Sequence, residues 1–456
     1  MEQGRGHRRR LRAAPRGGPR VTATVAFATL GCRLNQAESQ ELQGALEARG
    51  FRAVSPEGPA DVVVVNTCTV TARAEASDRQ AIQRALRRNP AARIVVTGCW
   101  AQTAPGAVAR LPGVDLVVGN ADKARLPELV EALLAAPRGA PRVVVSDVRR
   151  PATAPAPPPT PAPGRARAFV KVQDGCQHRC AFCLVPLARG PSRSREPELV
   201  RAQVAALVAA GYRDVTLTGA DLGHYGADLT PRTSLAALVR ELAALRGLRW
   251  LRLSSVLPAS FTPELREVVT TLPTVAPHLH IPLQSGSDPV LRRMRRPYTA
   301  GMYRRLVEDL AARRPGLALG TDLIVGFPGE REEDFAETVA LVEALPFTYL
   351  HVFAYSDRPG TEAARLDGRV PPAVVAARSR RLRALAAAKN LAFRRALVGT
   401  VQEVVVLERR GADGALIGLT GSYVEVAFAG PDALLREVVP VRVTAADADG
   451  TRGELV

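Results

Sequence analysis

The sequence predicts an α/β fold in three parts: an N-terminal doubly wound parallel sheet, a central partial (β/α)6 barrel, and a small all-β barrel at the C-terminus. Three observations carry this. Apolar β-branched runs alternate with helical patterns over residues 21–150. The alternation resumes over 165–395 through six βα units, whose right-handed crossovers would curl the sheet, with an open sheet as the alternative. From 396 to 456 short strands follow one another between Gly and Asp turns.

In the first part, strands are expected at 21–30, 61–67, 93–98 and 114–118, with helices at 36–48, 72–88 and 126–135. Residues 151–164, PATAPAPPPTPAPG, lack the donors for a ladder and read as an extended linker. In the second part, strands are expected near 168–173, 214–218, 249–253, 278–283, 318–325 and 348–354. Helices at 197–210, 234–245, 262–271, 300–313 and 332–344 supply the crossovers. A long helix over 372–395 carries Arg378, Arg380, Arg381, Arg383, Lys389, Arg394 and Arg395 and no acid. The last part has strands at 400–407, 415–419, 423–428 and 438–443.

Composition narrows the class. At 456 residues, with about 150 per domain, each part is long enough to bury its own core. A chain 46% hydrophobic and 23% charged is neither disordered nor collagen-like. Its apolar runs fall short of the ~18 residues of a spanning helix, so no membrane partner is expected. Residues 1–20 form an Arg-rich basic tail followed by a strand rather than a signal core, so a cytoplasmic location is expected, with an organelle transit peptide as the alternative. The net charge of +18 suggests a polyanionic partner. Lys123, Lys171 and Lys389 are the only lysines, however, and genome base composition alone produces such an Arg skew.

Six cysteines are too few for a disulfide scaffold and fall into two sets of three. Cys176, Cys180 and Cys183 lie within eight residues, just past the first strand of the barrel. Three thiolates that close can hold three corners of a [4Fe–4S] cube and leave one iron open. A zinc site completed by His178 and a redox dithiol are the alternatives; His178 itself reads as a solvent-facing loop residue. Cys32, Cys68 and Cys99 each follow the carboxyl end of an expected parallel strand, and such ends converge on one crevice. The plain alternative is three small buried hydrophobes, although their contexts, TLGC, NTCT and TGC, are polar.

Around these cysteines, TLGCRLNQAES, VNTCTVTARA, VTGCWAQ, VQDGCQHRCAFCLVPLARGPSRSR, HLHIPLQSGSDPVLRRMRRPYT and LGTDLIVGFPGEREEDF resemble the radical S-adenosylmethionine (SAM) methylthiotransferase family. Among its branches the resemblance is closest to the one that methylthiolates threonylcarbamoyladenosine in tRNA. The motifs run from Thr29 to Phe335, and the terminal barrel resembles the family's TRAM module.

The resemblance implies two [4Fe–4S] clusters and SAM as cofactors, with tRNA and a low-potential electron donor as partners and no DNA. It implies that the Cys176/Cys180/Cys183 cluster binds and reductively cleaves SAM, and that the Cys32/Cys68/Cys99 cluster is the sulfur source. Barrel sites form at the carboxyl ends of strands, which here offer Thr218, Gly219, Asp221, Ser254, Gln284 and Asp322 to SAM. Each could instead have a structural role: Ser254 capping a turn, Asp322 satisfying backbone.

Arg189, Arg193 and Arg195 would supply the fork that a threonylcarbamoyl carboxylate needs, or else bind phosphate or the SAM carboxylate. Arg292, Arg293, Arg295 and Arg296, with Arg380 and Arg381 on the long helix, would track phosphates or form solvated faces. The terminal barrel has 5 Arg against 9 acidic residues, an unusual balance for an RNA clamp. The function expected is methylthiolation at C2 of N6-threonylcarbamoyladenosine at position 37 of tRNA. The alternatives are the same chemistry on isopentenyladenosine or on a ribosomal-protein aspartate, and a non-catalytic iron–sulfur RNA sensor.

Overall fold

The structure, a computed structural model, describes residues 23–150 and 166–456. The basic tail at 1–20 and the Pro-rich linker at 151–164 lie outside the described residues.

Six parallel strands make the N-terminal sheet, in the order Arg52–Val54, Thr24–Thr29, Val62–Thr67, Arg93–Gly98, Val114–Val118, Arg142–Val144. Alternate residues go to opposite faces. Val63, Val65, Ile94 and Val96 pack with Ile82 and Trp100, whereas Val62, Val64, Val95 and Leu116 pack with Leu42, Leu46 and Leu126. Both faces are apolar because helices cover both. The two outer strands were not expected: each is three residues long and starts on an exposed arginine, so neither carries an apolar period.

The central strands are Arg167–Lys171, Asp214–Thr218, Trp250–Leu253, His278–His280, Ala318–Val325 and Tyr349–Ala354. They pair in parallel as two sets of three, and the sets meet through the bridges Leu251–Val275 and Ser255–His280. The result is a partial barrel. Val170, Leu217, Leu251, Leu279 and Leu319 face outward into the helical layer. The alternate positions, among them Arg167, Asp214, Arg252, His278, His280, Asp322 and His351, give the lumen a polar wall. Helix Arg33–Glu47 of the N-terminal part packs along strand Arg167–Lys171 and joins the two sheets. The strand expected over 278–283 stops at His280: Pro282 has no N–H for a ladder, and Gln284 turns at φ 71°.

Helix Pro372–Ala396 covers strand Tyr349–Ala354 and leads into a closed barrel of Val401–Arg410, Leu416–Thr420, Glu425–Phe428, Thr451–Leu455 and Val438–Ala446. The closing strand, Thr-Arg-Gly-Glu-Leu, is too polar to read as one from sequence. No described helix is long and apolar enough to cross a membrane.

Candidate active site

Strand Arg167–Lys171 runs into a short ribbon, Gln173–Asp174 paired with Arg193–Ser194, and the loop between carries Cys176, Cys180 and Cys183. The turn needs glycine. Gly175 sits at φ +73°, where a Cβ would fall 1.9 Å from the Pro191 carbonyl oxygen, and Cys176 N–H donates to Gly190 O at 2.9 Å. One amide organises the surroundings. Gln173 Nε2 donates to Gly175 O at 2.7 Å and to Ser192 Oγ at 2.9 Å, while its Oε1 accepts from Asp221 N–H at 2.8 Å. The cysteine loop is thereby tied to the end of strand Asp214–Thr218. Gln173 stood inside a motif, but nothing in the sequence gave its amide these four partners, Asp174 O among them.

Burial pushes the Cys176 thiol up to about 12, with Asp221 adding to the effect, and the Cys183 thiol up to about 11. A cation bound here must displace protons. Two donors already point at sulfur: Val185 N–H at 3.4 Å from Cys183 Sγ, and Arg296 Nη1 at 3.1 Å from Cys180 Sγ. Arg296 therefore faces the cysteine loop and not a phosphate track. Asp221 Oδ2 lies 3.2 Å from His178 Nε2, so His178 faces a carboxylate where a solvent-facing role was expected.

Cys32, Cys68 and Cys99 follow strands Thr24–Thr29, Val62–Thr67 and Arg93–Gly98. The sheet order reverses between the first two of these strands, where doubly wound sheets open a ligand crevice. Gly31, at φ +89°, packs so tightly that a Cβ would fall 2.8 Å from Cys68 Sγ. Burial, then Cys99, push the Cys68 thiol up to about 12. Cys32 is raised by burial, with Arg189 opposing.

Cys99 opens helix Cys99–Thr103, which packs on helix Val185–Arg189, just past Cys183. Cys99 contributes to the raised Cys183 thiol, after burial and Cys180. Asn120 Nδ2 lies 3.7 Å from Cys99 Sγ and donates to Ala188 O at 2.8 Å. All six thiols are free. Among the described residues, the trio drawn within 4.8 Å, as one ion requires, is His280, Asp322 and His351; neither cysteine set is that tight. Donors of this softness held farther apart suit a multi-iron cube better than a single zinc.

Of the SAM candidates, Thr218, Asp221, Ser254 and Gln284 are buried at the carboxyl ends of the strands. Gly219 abuts Gln173, where a Cβ would fall 2.6 Å from Oε1. Ser254 Oγ and Asp221 Oδ1 are buried without a partner among the described residues. Asp322 Oδ1 instead meets His280 Nε2 at 3.1 Å and His351 Nδ1 at 3.2 Å. Burial opposes its ionisation, but these contacts prevail and hold the carboxyl far below its usual range. The two histidines, 71 residues apart in sequence, were missed because only the strand register aligns them.

The arginines expected to fork a substrate carboxylate are otherwise engaged. Arg189 is buried and holds Glu38 and Asp174, and Arg195 holds Glu41 at 2.7 Å. Arg193 donates to the carbonyls of Val148, Pro191 and Arg189. The expectation for Arg189 and Arg195 is corrected: their forks are spent on acids of helix Arg33–Glu47, which the sequence could not bring to them. Arg292 is exposed, Arg293 donates to Pro328 O at 3.0 Å, and Arg295 pairs with Glu362 at 2.7 Å. On the long helix, Arg380, Arg381 and Arg383 are exposed, whereas Arg378 is buried against Glu330.

Residues 24–119 match the model of an uncharacterized protein family, UPF0004, and residues 170–342 match the radical SAM superfamily. The chain is 37% identical to the threonylcarbamoyladenosine tRNA methylthiotransferase MtaB of Bacillus subtilis, covering 95% of this chain and 96% of that protein. It is 40% identical to the MtaB of Aquifex aeolicus, covering 88% and 96%. It is 38% identical to the tRNA-2-methylthio-N(6)-dimethylallyladenosine synthase of Moorella thermoacetica, covering 95% and 98%. Among solved structures, the radical SAM methyltransferase TsrM of Kitasatospora setae shares the fold, with a TM-score of 0.54 at 20% identity over 75% of this chain and 77% of that one.

Proposed function

The chain belongs to the radical SAM methylthiotransferase family, and from that premise we propose that it methylthiolates C2 of N6-threonylcarbamoyladenosine at position 37 of tRNA. It is a transferase that works with SAM and a [4Fe–4S] cluster. A second cluster, a low-potential electron donor and a cytoplasmic setting belong to the proposal.

In this reading Cys176, Cys180 and Cys183 hold one cluster and Cys32, Cys68 and Cys99 the other, each leaving an iron without a protein ligand. Bound there, the clusters would supply the electron that splits SAM into methionine and a 5′-deoxyadenosyl radical, and the sulfur of the methylthio group. The chain's own share is positioning. Gln173 fixes the cysteine loop against Asp221, Arg296 sets a positive charge on Cys180, and Asn120 ties the neighbourhood of Cys99 to the Ala188 carbonyl. Thr218, Gly219, Asp221, Ser254, Gln284 and Asp322 would orient SAM, the unpartnered Asp221 Oδ1 and Ser254 Oγ offering acceptors. Arg193, Arg295, Arg380 and Arg381 would meet tRNA phosphates.

The observation that carries the reading is two sets of three free thiols brought to one junction, where helix Cys99–Thr103 packs on helix Val185–Arg189, since a two-cluster transfer needs both sites near one substrate. The relatives named for dimethylallyladenosine favour a second reading, the same chemistry on that base. The deciding experiment uses anaerobically reconstituted protein, dithionite, SAM and tRNA from cells lacking either precursor modification, with nucleosides identified by mass. Methylthiolation should require threonylcarbamoyl. Activity that persists without it and vanishes without the isopentenyl group would overturn the assignment, and absence of 5′-deoxyadenosine would leave an RNA-binding sensor.

A further inference from the structure

At the floor of the barrel lumen a phenol from the C-terminal barrel is ringed by guanidinium groups. Arg33 Nη2 donates to the hydroxyl oxygen of Tyr423 at 3.0 Å, and Arg167 Nη1 reaches the same oxygen at 3.4 Å. The guanidinium carbons of Arg33, Arg167 and Arg252 lie 5.1, 5.0 and 5.3 Å from the ring centroid. The ring also stacks on His278, with centroids 4.6 Å apart. Tyr423 adopts φ 69°, a conformation that a bulky residue rarely takes, so its placement is held against a local backbone cost.

Charge is out of balance here. Asp214 is the one carboxylate of the group: it binds Arg252 Nε at 2.7 Å and stands 3.5 Å from Arg167 Nε. Arg252 is filled, giving its remaining nitrogens to Gly421 O and Thr420 O at 2.7 and 2.8 Å. Among the described residues Arg33 pairs with no carboxylate, and the hydroxyl proton of Tyr423 has no acceptor. Burial and the surrounding guanidiniums, Arg252 and Arg33 foremost, hold the His278 imidazole well below its usual range, as a site of positive potential requires. A half-buried guanidinium beside an unspent phenol proton is an incomplete anion receptor.

Its position says which anion. Arg33 directly follows Cys32 of the N-terminal set. From the floor the lumen rises past Tyr349 to Asp322 and His351, towards the strand ends that carry the cysteine loop. A base with its reacting carbon near the thiols would need its substituent to run along this polar wall to reach Arg33. Of the guanidiniums nearer the cysteine loop, Arg189 and Arg195 are spent on Glu38 and Glu41 and Arg296 on Cys180 Sγ, while Arg179, within the loop, is exposed.

We propose that Arg33, with Tyr423 and Arg167, receives a carboxylate carried by the substrate base, and so selects threonylcarbamoyladenosine over a base with a neutral N6 group. The proposal rests on the reading given under Proposed function.

The test compares anaerobically reconstituted full-length protein with its Arg33→Gln and Tyr423→Phe variants. The probes are a fluorescent anticodon stem-loop carrying threonylcarbamoyladenosine and the same stem-loop carrying plain adenosine. The wild type should bind the modified stem-loop at least about tenfold more tightly, as a charge-assisted bond implies. Arg33→Gln should bring that ratio to within about twofold. Tyr423→Phe, which keeps the stacked ring, should reduce it in part. A wild type with no preference would overturn the threonylcarbamoyl reading and this proposal together. A wild type that prefers the modified stem-loop, with variants that keep the full ratio, would overturn this proposal alone. Equal weakening on both stem-loops would assign Arg33 to a backbone phosphate. A raised SAM requirement with an unchanged ratio would assign it to the SAM carboxylate. Either of these results overturns the proposal.

Discussion

Arg189 and Glu38 form a two-pronged ion pair across the junction of the two sheets, at 2.9 and 3.1 Å, with each side chain 2% exposed. Burial alone would raise the Glu38 carboxyl, but Arg189, Lys123 and Lys171 together hold it well below its usual range. Removing one partner of a buried pair costs about 3–5 kcal/mol, because the other charge is left without compensation. Glu38 keeps Lys123 at 2.6 Å and Lys171 at 3.1 Å, so the low end applies. We expect Arg189→Met to lower stability by about 3 kcal/mol in denaturant titrations. Arg193→Met, which loses only carbonyl contacts, should cost under about 1 kcal/mol. Equal effects would remove Arg189 from the junction's support.

The same pair marks how far the sequence could be read. Val62–Val65 and the Cys176/Cys180/Cys183 set were legible because a continuous apolar run and a short spacing are local signals. The partners of each arginine were not. Arg189 and Arg195 sit in the segment that the cysteines made conspicuous, yet the acids that neutralise them lie on a helix about 150 residues earlier. Arg33 and Tyr423 are separated by 390 positions and meet only because the terminal barrel inserts a turn under the central one. His280, Asp322 and His351 converge through parallel register, which no one-dimensional pattern encodes.

Two iron sites with separate duties predict different losses. After reconstitution the protein should hold about eight irons, four for each set of three thiolates. Cys180→Ala should halve the iron and abolish SAM cleavage. Cys68→Ala should also halve it, yet keep 5′-deoxyadenosine formation while losing methylthiolation. Iron near four in the unmutated protein would remove the second cluster, and loss of SAM cleavage in a folded Cys68→Ala variant would refute the division of labour.

Arg296 Nη1 lies 3.1 Å from Cys180 Sγ and its Nε lies 2.8 Å from Tyr298 OH, so the cation is fixed against the thiol. Hydrogen bonds and positive charge at a ligating sulfur favour the reduced, more negative state of a cluster. Arg296→Gln should lower the midpoint potential by on the order of 60 mV, the one-electron equivalent of a tenfold change. A redox titration followed by electron paramagnetic resonance reads this directly. An unmoved potential would reduce Arg296 to packing.

Helix Pro372–Ala396 divides its cations. Arg378 is committed to Glu330 and Arg394 to Gly450 O, whereas Arg380, Arg381 and Arg383 are exposed on it. If those three track phosphate, tRNA affinity should fall steeply with salt, and changing all three to Gln should flatten the log–log slope by up to ~0.9 per lost contact. Binding isotherms at several salt concentrations decide it. An unchanged slope would make this helix face a solvated one.

His278 supplies the pH test. Burial, then Arg252 and Arg33, hold its imidazole well below the usual range, so in the folded protein it stays neutral where an unfolded chain would be charged. An unfolded imidazole binds its proton below about pH 6.5. Between there and the depressed folded value the unfolded state carries more protons, and stability must fall as pH drops. Above about pH 6.5 both states are neutral and the effect vanishes. We expect this residue alone to remove up to about 1.4 kcal/mol per pH unit on acidification from pH 6.5. His278→Gln, which can still meet Tyr349 OH as the imidazole does at 2.9 Å, should flatten the stability profile between pH 7 and 5. Chemical denaturation of both proteins across that range is the check. Parallel profiles would mean that the positive floor of the lumen does not reach His278.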